Sequence, residues 1–374
     1  MIDLFSGCGG FSLGAELAGF RSLAAVDIDG TLQSGFRKNF PRTKTIEGDA
    51  SQILKSDWQQ LIGNVRPDGI IGGPPCQGFS RIGKRAKEDP RNSLVHHFYR
   101  HVDELNPKFF VMENVEGLLD DGNREVLMSA IERIASRYRI LGPVVVNASH
   151  FGAATNRKRV IVIGVDPADC DETSLEHLLP AGVPSVTVRD AISDLPPPIA
   201  QVVDVENFGW AYYSDPADLS IYATALRAPP PDGLGWTEAI KQLRNGYVSG
   251  LFETKHNATV AARYANTPGG KADPISKSYR LQWNGLCPTL RAGTGTEKGS
   301  FQAVRPLHPS EGRVITVREA ARLQAFPDWF VFHPTKWHSF RMIGNSVSPS
   351  VSYGLLSRII RKLSNVSQSN YNIT

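Results

Sequence analysis

Residues 72–80 read GGPPCQGFS. Two consecutive prolines fix φ and remove two backbone donors, so the stretch ahead of Cys76 is stiff and continues neither a helix nor a central strand. A thiol on such a turn is aimed one way. The basic run behind it, Arg81, Lys84, Arg85, Lys87 and Arg91, would favour the thiolate and hold phosphates. A buried structural cysteine needs neither feature. A second chemical position closes an apolar run, where Phe109-Phe110-Val111-Met112 leads into Glu113-Asn114-Val115. A carboxyl emerging from a partly buried strand end is suited to giving a proton. A third is Asn156-Arg157-Lys158-Arg159, which brings two guanidinium groups beside the apolar run 160–165.

Acidic and glycine-rich positions add a ligand-binding pattern. In Asp3-Leu4-Phe5-Ser6-Gly7-Cys8-Gly9-Gly10 the glycines allow a tight turn and close approach of a ligand to the backbone. Val26-Asp27-Ile28-Asp29 follows about 20 residues on, where a carboxylate binds ribose hydroxyls in nucleotide-binding folds. Glu47-Gly48-Asp49 ends the next β-branched run. Together they suggest an adenosine-bearing cofactor without saying which, and a nicotinamide oxidoreductase would use the same residues.

These positions fall at the ends of expected strands. Strands are predicted at 2–5, 23–28, 43–47, 69–72, 109–113, 144–147 and 160–165, with helical patterns between them, the clearest at 124–138. The alternation predicts a doubly wound α/β sheet, whose ligands sit beyond the carboxyl ends of the strands. The apolar opening has no basic residue before Arg21 and carries Asp3 and Glu16. It therefore reads as a strand and a helix, not an export signal. No stretch approaches the roughly 18 uncharged apolar residues of a membrane span.

The 374 residues predict about two domains. Net charge is +4, a mild basic excess compatible with a nucleic-acid partner. Cys8, Cys76, Cys170 and Cys287 lie far apart with no C-x-x-C pair, which argues against a zinc site or a disulfide framework and for a reducing compartment. A capped helix at Thr187-Val188-Arg189-Asp190 precedes Leu195-Pro196-Pro197-Pro198, after which the alternation stops. The segment that follows contains Tyr279, Arg280, Trp283, Arg291, Lys298 and Arg305, residue types suited to base-edge and phosphate contacts, although core packing is the commoner fate of any one aromatic. Thr316 and Glu319 form a T-x-x-E box opening a helix over 317–325 that bridges the two parts. Gly344-Asn345-Ser346-Val347 then returns the chain to the first part. In the final helix Val351, Leu355 and Ile359 face inward, with Arg358, Arg361 and Lys362 outward, and the last ten residues are expected to fray.

At this point the motifs carry a family likeness. The chain resembles the DNA (cytosine-5) methyltransferases, and in particular bacterial modification enzymes, over almost its whole length. DLFSGCGG resembles the family's cofactor loop, GGPPCQGFS its nucleophile motif, ENV its proton-donor motif and NRKRVIVIG its arginine motif. RVITVREAARLQAFP at 313–327 and GNSVSP at 344–349 resemble two more, in the family's order. The resemblance implies a doubly wound mixed sheet of the S-adenosylmethionine-dependent, Rossmann-like type. It implies a catalytic and cofactor-binding domain at 1–195 completed by 341–374. A smaller, mostly irregular or β target-recognition domain with its hinge helix would occupy 196–340.

The same likeness implies methyl transfer from S-adenosyl-L-methionine to C5 of a cytosine flipped out of double-stranded DNA, without a metal. Cys76 would attack C6, Glu113 would act at N3, Asn114 would help fix that carboxyl, and Arg159 would offset charge at O2. Arg157 would join this network or hold a phosphate. Phe5, Gly7, Gly10, Asp27, Ile28, Asp49, Pro75, Leu94, Asn345 and Val347 would line the cofactor site, with Asp27 on the ribose and Asp49 on the adenine. Gln77, Ser80, Arg81, Lys84, Arg85, Thr289 and Arg291 would touch DNA, and the basic loop after Cys76 would act as a lid. A cytoplasmic monomer, serving a restriction-modification system beside an endonuclease that shares its site, is the implied setting. One departure stands out: Ala154-Thr155 replaces the family's Pro-Gln ahead of Asn156-Arg157. Other readings remain open on sequence alone. They are a cysteine hydrolase drawing on His96, His97, His101 or His150, an amine methyltransferase, an RNA methyltransferase, and a DNA-binding protein without activity.

Overall fold

The computed structural model describes residues 1–75, 93–201, 207–213, 219–292 and 305–363. A seven-stranded sheet forms its centre, built from β1 (Ile2–Leu4), β2 (Ala24–Asp27), β3 (Lys44–Glu47), β4 (Gly69–Gly72), β5 (Phe109–Asn114), β6 (Arg139–Asn147) and β8 (Lys158–Val165). The two-residue β7 (Thr155–Asn156) lies outside it. The strand order is β3-β2-β1-β4-β5-β8-β6. The first five strands are parallel, and β8 runs antiparallel to both neighbours. The sheet is thus mixed and doubly wound, as expected, and the order reverses between β1 and β4. Ligand crevices open at such a switch point.

Six of the seven predicted strands agree with the observed ones to within two residues at either end. The seventh, at 144–147, is the second half of the longer β6, which crosses Gly142-Pro143 with a register irregularity between Leu141 and Val144. A Gly-Pro pair reads as a turn, which hides the first half of an edge strand. Strand β1 stops at Leu4 because Phe5 takes φ 60°, the start of the glycine loop.

The connections are α1 (Gly10–Leu17), α2 (Gly30–Asn39), α3 (Lys55–Ile62), α4 (Ser93–Leu105) and α5 (Asn123–Glu132). The helix expected over 124–138 ends at Glu132. Successive tight turns follow, burying Ile134 and Tyr138 and letting the Tyr138 hydroxyl donate to the Pro107 carbonyl at 2.7 Å. Next come α6 (Leu175–Leu178) and α7 (Val188–Ile192), the latter capped by Thr187 in a box with Asp190.

Beyond Leu195 the chain is mostly irregular. Its regular parts are β9 (Ala211–Tyr212) paired with β10 (Tyr247–Val248), β11 (Cys287–Pro288) paired with β7, and three helices that the strand-based expectation omitted: α8 (Ile221–Arg227), α9 (Thr237–Arg244) and α10 (Ala258–Asn266). Helix α11 (Val317–Leu323) is shorter than the expected 317–325, since Ala325 at φ 67° turns the chain toward Pro327. Every residue of α11 is buried. Helix α12 (Lys336–Asn345) and helix α13 (Pro349–Ile359) complete the chain, α13 packing along α1 with Val351, Leu355 and Ile359 buried. One apolar core joins Leu13, Phe36 and Phe40 to Leu281, Ile315, Phe326 and Phe330. Among the described residues, no helix is long and apolar enough to cross a membrane.

Candidate active site

A cavity of about 340 Å³ opens at the switch point between β1 and β4. Its first wall is the loop after β1. Gly7 (φ 55°) and Gly9 (φ 96°) need left-handed backbone there, and the Gly7 N–H donates to Asp27 Oδ2 at 2.8 Å. The Asp29 N–H donates to Asp27 Oδ1 at 2.9 Å, so both oxygens of a carboxylate at the end of β2 are aimed by backbone donors and keep lone pairs for a ligand. Burial raises the Asp27 pKa, with these hydrogen bonds opposing it. Ile28 beside it is 70% exposed on the cavity lip, an apolar surface open to a ligand.

Deeper in, Asp3 is fully enclosed and accepts from Ser12 Oγ at 2.6 Å. Burial pushes its pKa up to about 7, the Ser12 hydrogen bond opposing the shift. Cys8 lines the same cavity, but its thiol is pushed up to about 12, chiefly by burial, which makes it inert near neutrality.

The opposite wall joins the ends of β4, β5 and β8. Glu113 pairs with Arg159 Nε at 2.9 Å, both side chains largely shielded. Asn114 donates to the Pro74 carbonyl at 3.2 Å and accepts from the Val115 N–H at 2.8 Å, which ties the end of β5 to the double-proline turn. Pro74 and Pro75 line the cavity beside Glu113, Asn114 and Arg159. Cys76, Gln77, Ser80, Arg81, Lys84 and Arg85 lie outside the described residues, as does Lys298.

Arg157 lines the same cavity, but its guanidinium is committed to the protein. It is buried, donating to the carbonyls of Leu290 (3.2 Å), Gly344 (3.0 Å) and Ser346 (2.8 Å), while its Nε has no partner among the described residues. Burial and then the nearby Arg159 charge lower its pKa. Its guanidinium thus staples the return segment to the chain around residue 290.

Of the expected cofactor residues, Phe5, Gly7, Asp27, Ile28, Pro75, Asn345 and Val347 line the cavity. Gly10, Asp49 and Leu94 do not. A Cβ on Gly10 would lie 1.9 Å from Ser346 Oγ and 2.3 Å from the Val347 carbonyl, so this glycine permits the return segment to pack on the loop. Asp49 accepts from the Ser51 N–H at 2.8 Å beside edge strand β3, and Leu94 is half-buried in the first turn of α4. Thr289 donates to the Asn156 carbonyl at 2.9 Å, and Thr155, at the departure from the family pattern, donates to the Cys287 carbonyl at 3.0 Å. Arg291 is exposed, its backbone lying across Gly344. Arg280 is buried on the carbonyls of Pro309 and Tyr264, a structural role in place of the expected DNA contact.

The sequence placed Asp3 and Asp29 in the ligand-binding pattern without giving either a role, and passed over Arg341. Arg341 pairs with Asp29 at 2.5 Å across the cavity mouth. Its signal was the spacing to Asn345, four residues on and therefore on the same helix face. No histidine is among the cavity residues, and His101 is held between the Ala50 carbonyl and Trp58 Nε1, with burial lowering its pKa to about 4.

Fold and site together define an α/β enzyme with a nucleotide-sized cavity at the carboxyl edge of its sheet, walled by an acid and an arginine in contact. Residues 1–361 match the family of C-5 cytosine-specific DNA methylases. The chain is 39% identical to the type II methyltransferase M.XorII of Xanthomonas oryzae pv. oryzae, over 97% of this chain and 84% of that protein. It is 32% identical to M.DdeI of Desulfomicrobium norvegicum, over 99% and 90%. A solved DNA modification methyltransferase encoded within an E. coli prophage superposes with a TM-score of 0.86 at 42% identity, covering 96% of this chain and 98% of that one. Schizosaccharomyces pombe Dnmt2, at 16% identity and TM-score 0.58, shares the fold. The chain belongs to the C-5 cytosine-specific DNA methylase family. It is a DNA cytosine-5 methyltransferase.

Proposed function

We propose that the protein transfers a methyl group from S-adenosyl-L-methionine to C5 of a cytosine flipped out of a specific double-stranded DNA sequence. It would act as the cytoplasmic, monomeric modification arm of a restriction-modification system, alongside an endonuclease that shares its site. The observation that carries this reading is the convergence of the Glu113–Arg159 pair with the Pro74-Pro75 turn on one cavity wall, opposite Asp27.

The residues present fit the cofactor. Asp27 offers lone pairs to a pair of ribose hydroxyls, the bare Ile28 side chain offers a face to an adenine, and Asp3 offers a buried carboxyl to a cationic group. When bound, the cofactor supplies the methyl group from a sulfonium. The protein's own part is to make C5 nucleophilic. Cys76, one residue beyond the cavity-lining Pro75, would bond to C6, and the displaced electron pair would move toward N3 and O2. Glu113 would give a proton to N3, and Arg159 would offset charge at O2. After transfer, a water molecule takes the C5 proton, the C5–C6 double bond re-forms as the Cys76 sulfur leaves as thiolate, and the N3 proton returns to Glu113. A cytosine stacked in a duplex is out of reach of this wall, so the base must leave the helix. Residues 196–340 are taken as the target-recognition domain and α11 as its hinge.

The test uses duplexes carrying 5-fluorocytosine, from which C5 fluorine cannot be eliminated, together with the methyl donor. A protein–DNA adduct that survives denaturation and is lost in Cys76→Ser is expected. Absence of adduct across a library of duplexes would overturn the proposal.

A further inference from the structure

A second charged site lies one helix away from the cavity. Helix α12 begins with Lys336 and carries the cavity-lining residues Arg341, Met342, Gly344 and Asn345 at its end. Around Lys336 gather Arg305 and His256, both from the 196–340 segment. The Arg305 guanidinium lies 4.1 Å over the Phe340 ring and donates to Thr254 Oγ1 at 3.4 Å, while the Lys336 ammonium donates to the Glu253 carbonyl. Neither cation makes an ion pair with a described carboxylate; the Glu253 charge favours the Lys336 ammonium from a distance, and Lys255 opposes it. The Nε2 atom of His256 is buried without a hydrogen-bond partner among the described residues.

Holding like charges together in a partly desolvated place is unfavourable in itself. Burial lowers the proton affinity of all three groups, and Arg305 lowers that of Lys336 and His256 further. Such a cluster is rationalised by an anion that visits it. Arg305 offers a planar fork and Lys336 a compact ammonium, a donor set matching a phosphate, with the His256 ring enclosed behind them. These residues are absent from the cofactor cavity's lining, and Lys336 lies five residues, about 7.5 Å of helix rise, from Arg341.

We propose that Arg305 and Lys336, backed by His256, form a binding site for one backbone phosphate of the duplex substrate. The proposal rests on the reading above that the substrate is duplex DNA. Because Lys336 and the cavity residues share one helix, a phosphate held here sets the distance between the DNA backbone and the wall where the base reacts. The contact carries no sequence information and acts on register.

The experiment measures equilibrium DNA binding over a range of salt for the wild type, Lys336→Gln, Arg305→Gln and the double variant, on cognate and unrelated duplexes. Lys336→Arg serves as the conservative variant, and Lys55→Gln, at an exposed position on α3, controls for net charge. Each neutralised phosphate contributes about 0.9 to the slope of log K against log salt. The double variant is expected to have a slope shallower by about 1, with affinity for cognate and unrelated duplexes lowered alike. Lys336→Arg and Lys55→Gln should keep the wild-type slope. Should Arg305→Gln prove unstable through loss of its stacking on Phe340, Lys336→Gln alone decides by a smaller change in slope. An unchanged slope overturns the proposal, as does a loss of sequence preference at constant slope, which would make the cluster a reader of bases. Protection against heat by inorganic phosphate that Lys336→Gln abolishes, with the DNA slope intact, would likewise overturn it in favour of a free anion. A wild-type protein that binds no duplex at any salt sinks the substrate reading instead.

Discussion

Arg159 and Arg157 stand two residues apart and do opposite work. Residues i and i+2 of an extended chain share a face, and both arginines border the cavity. Arg159 pairs with the Glu113 carboxylate at its wall, while the Arg157 guanidinium is taken up by the carbonyls of Leu290, Gly344 and Ser346. Two guanidinium groups at a sheet end were legible in the sequence; that Arg157 is committed to backbone carbonyls was not, because those carbonyls lie more than 130 residues away. Arg159→Gln is expected to lower methyl transfer by about 10²–10³-fold, the usual cost of one donor to a developing oxyanion, with cofactor affinity retained. Single-turnover kinetics beside cofactor titration checks this, and equal losses in both would refute the assignment. Asp3 gives a prediction in pH. Below about pH 4 its carboxyl is protonated in both folded and unfolded chains; between there and its folded pKa of about 7 only the unfolded chain has ionised. Stability therefore falls as pH rises through this window and levels off above it. Asp3→Asn removes the penalty, so its stability relative to the wild type should grow from pH 4.5 to pH 8, by up to about 1.4 kcal/mol for each pKa unit of the shift. Urea midpoints at the two pH values decide, and a difference independent of pH would rule the buried carboxyl out as its source.

At the scale of elements, the return segment is what completes the cavity. Gly344 has no room for a side chain: a Cβ would lie 2.5 Å from the Ala292 nitrogen and 2.6 Å from the Arg291 carbonyl carbon, both backbone atoms that cannot swing away. Gly344→Ala is expected to lower stability by about 1–3 kcal/mol, as overpacking does. It should also weaken cofactor binding, because Gly344 lines the cavity and its carbonyl holds Arg157. Thermal unfolding beside a cofactor titration checks both; an unperturbed variant would show that the chain around residue 291 does not press on this glycine. Strands β1 to β5 and β8 could be read from β-branched runs bounded by turn residues, since each is a short buried strand whose local pattern and tertiary role agree. The acids and glycines at their ends were legible for the same reason. Beyond Leu195 the regular pieces of sheet are two residues long, too short for any periodicity; α9 and α10 are amphipathic but lie outside the strand–helix alternation on which the expectation rested. Gly10 was legible as a tight-turn glycine, but its partner Ser346 lies over 330 residues away, which is why its packing role had no local signal.

Across the whole molecule, segments far apart in the chain are joined by a buried ionic cluster centred on α11. Arg322 reaches Asp194 at 2.9 and 3.1 Å and Asp328 at 2.7 and 2.6 Å, and donates to the Ala191 carbonyl at 3.1 Å. Arg227 from α8 shares Asp194 at 2.7 Å, Tyr213 donates to Asp328, and Arg318 donates to the carbonyls of Ser249, Pro327 and Phe330. Burial alone would push the Asp328 carboxyl up, but the Arg322 charge and hydrogen bonds overcome it and hold its pKa below the usual carboxylate range. A cluster of this kind is weak evidence for net stability, because desolvating its members offsets much of their attraction. Its geometry is directional, and it links residues before Leu195 to residues from 213 to 328. Removing the central cation is different from never having had the cluster, for two carboxylates would then lie buried without their main partner. Arg322→Met is therefore expected to cost about 3–5 kcal/mol. The lost stability should appear in denaturant midpoints, with the larger share regained when Asp194 and Asp328 are also changed to Asn. A variant unfolding within about 1 kcal/mol of the wild type, below the range for breaking a buried pair, would mean that apolar packing of α11 carries the junction and the ionic cluster merely fills it.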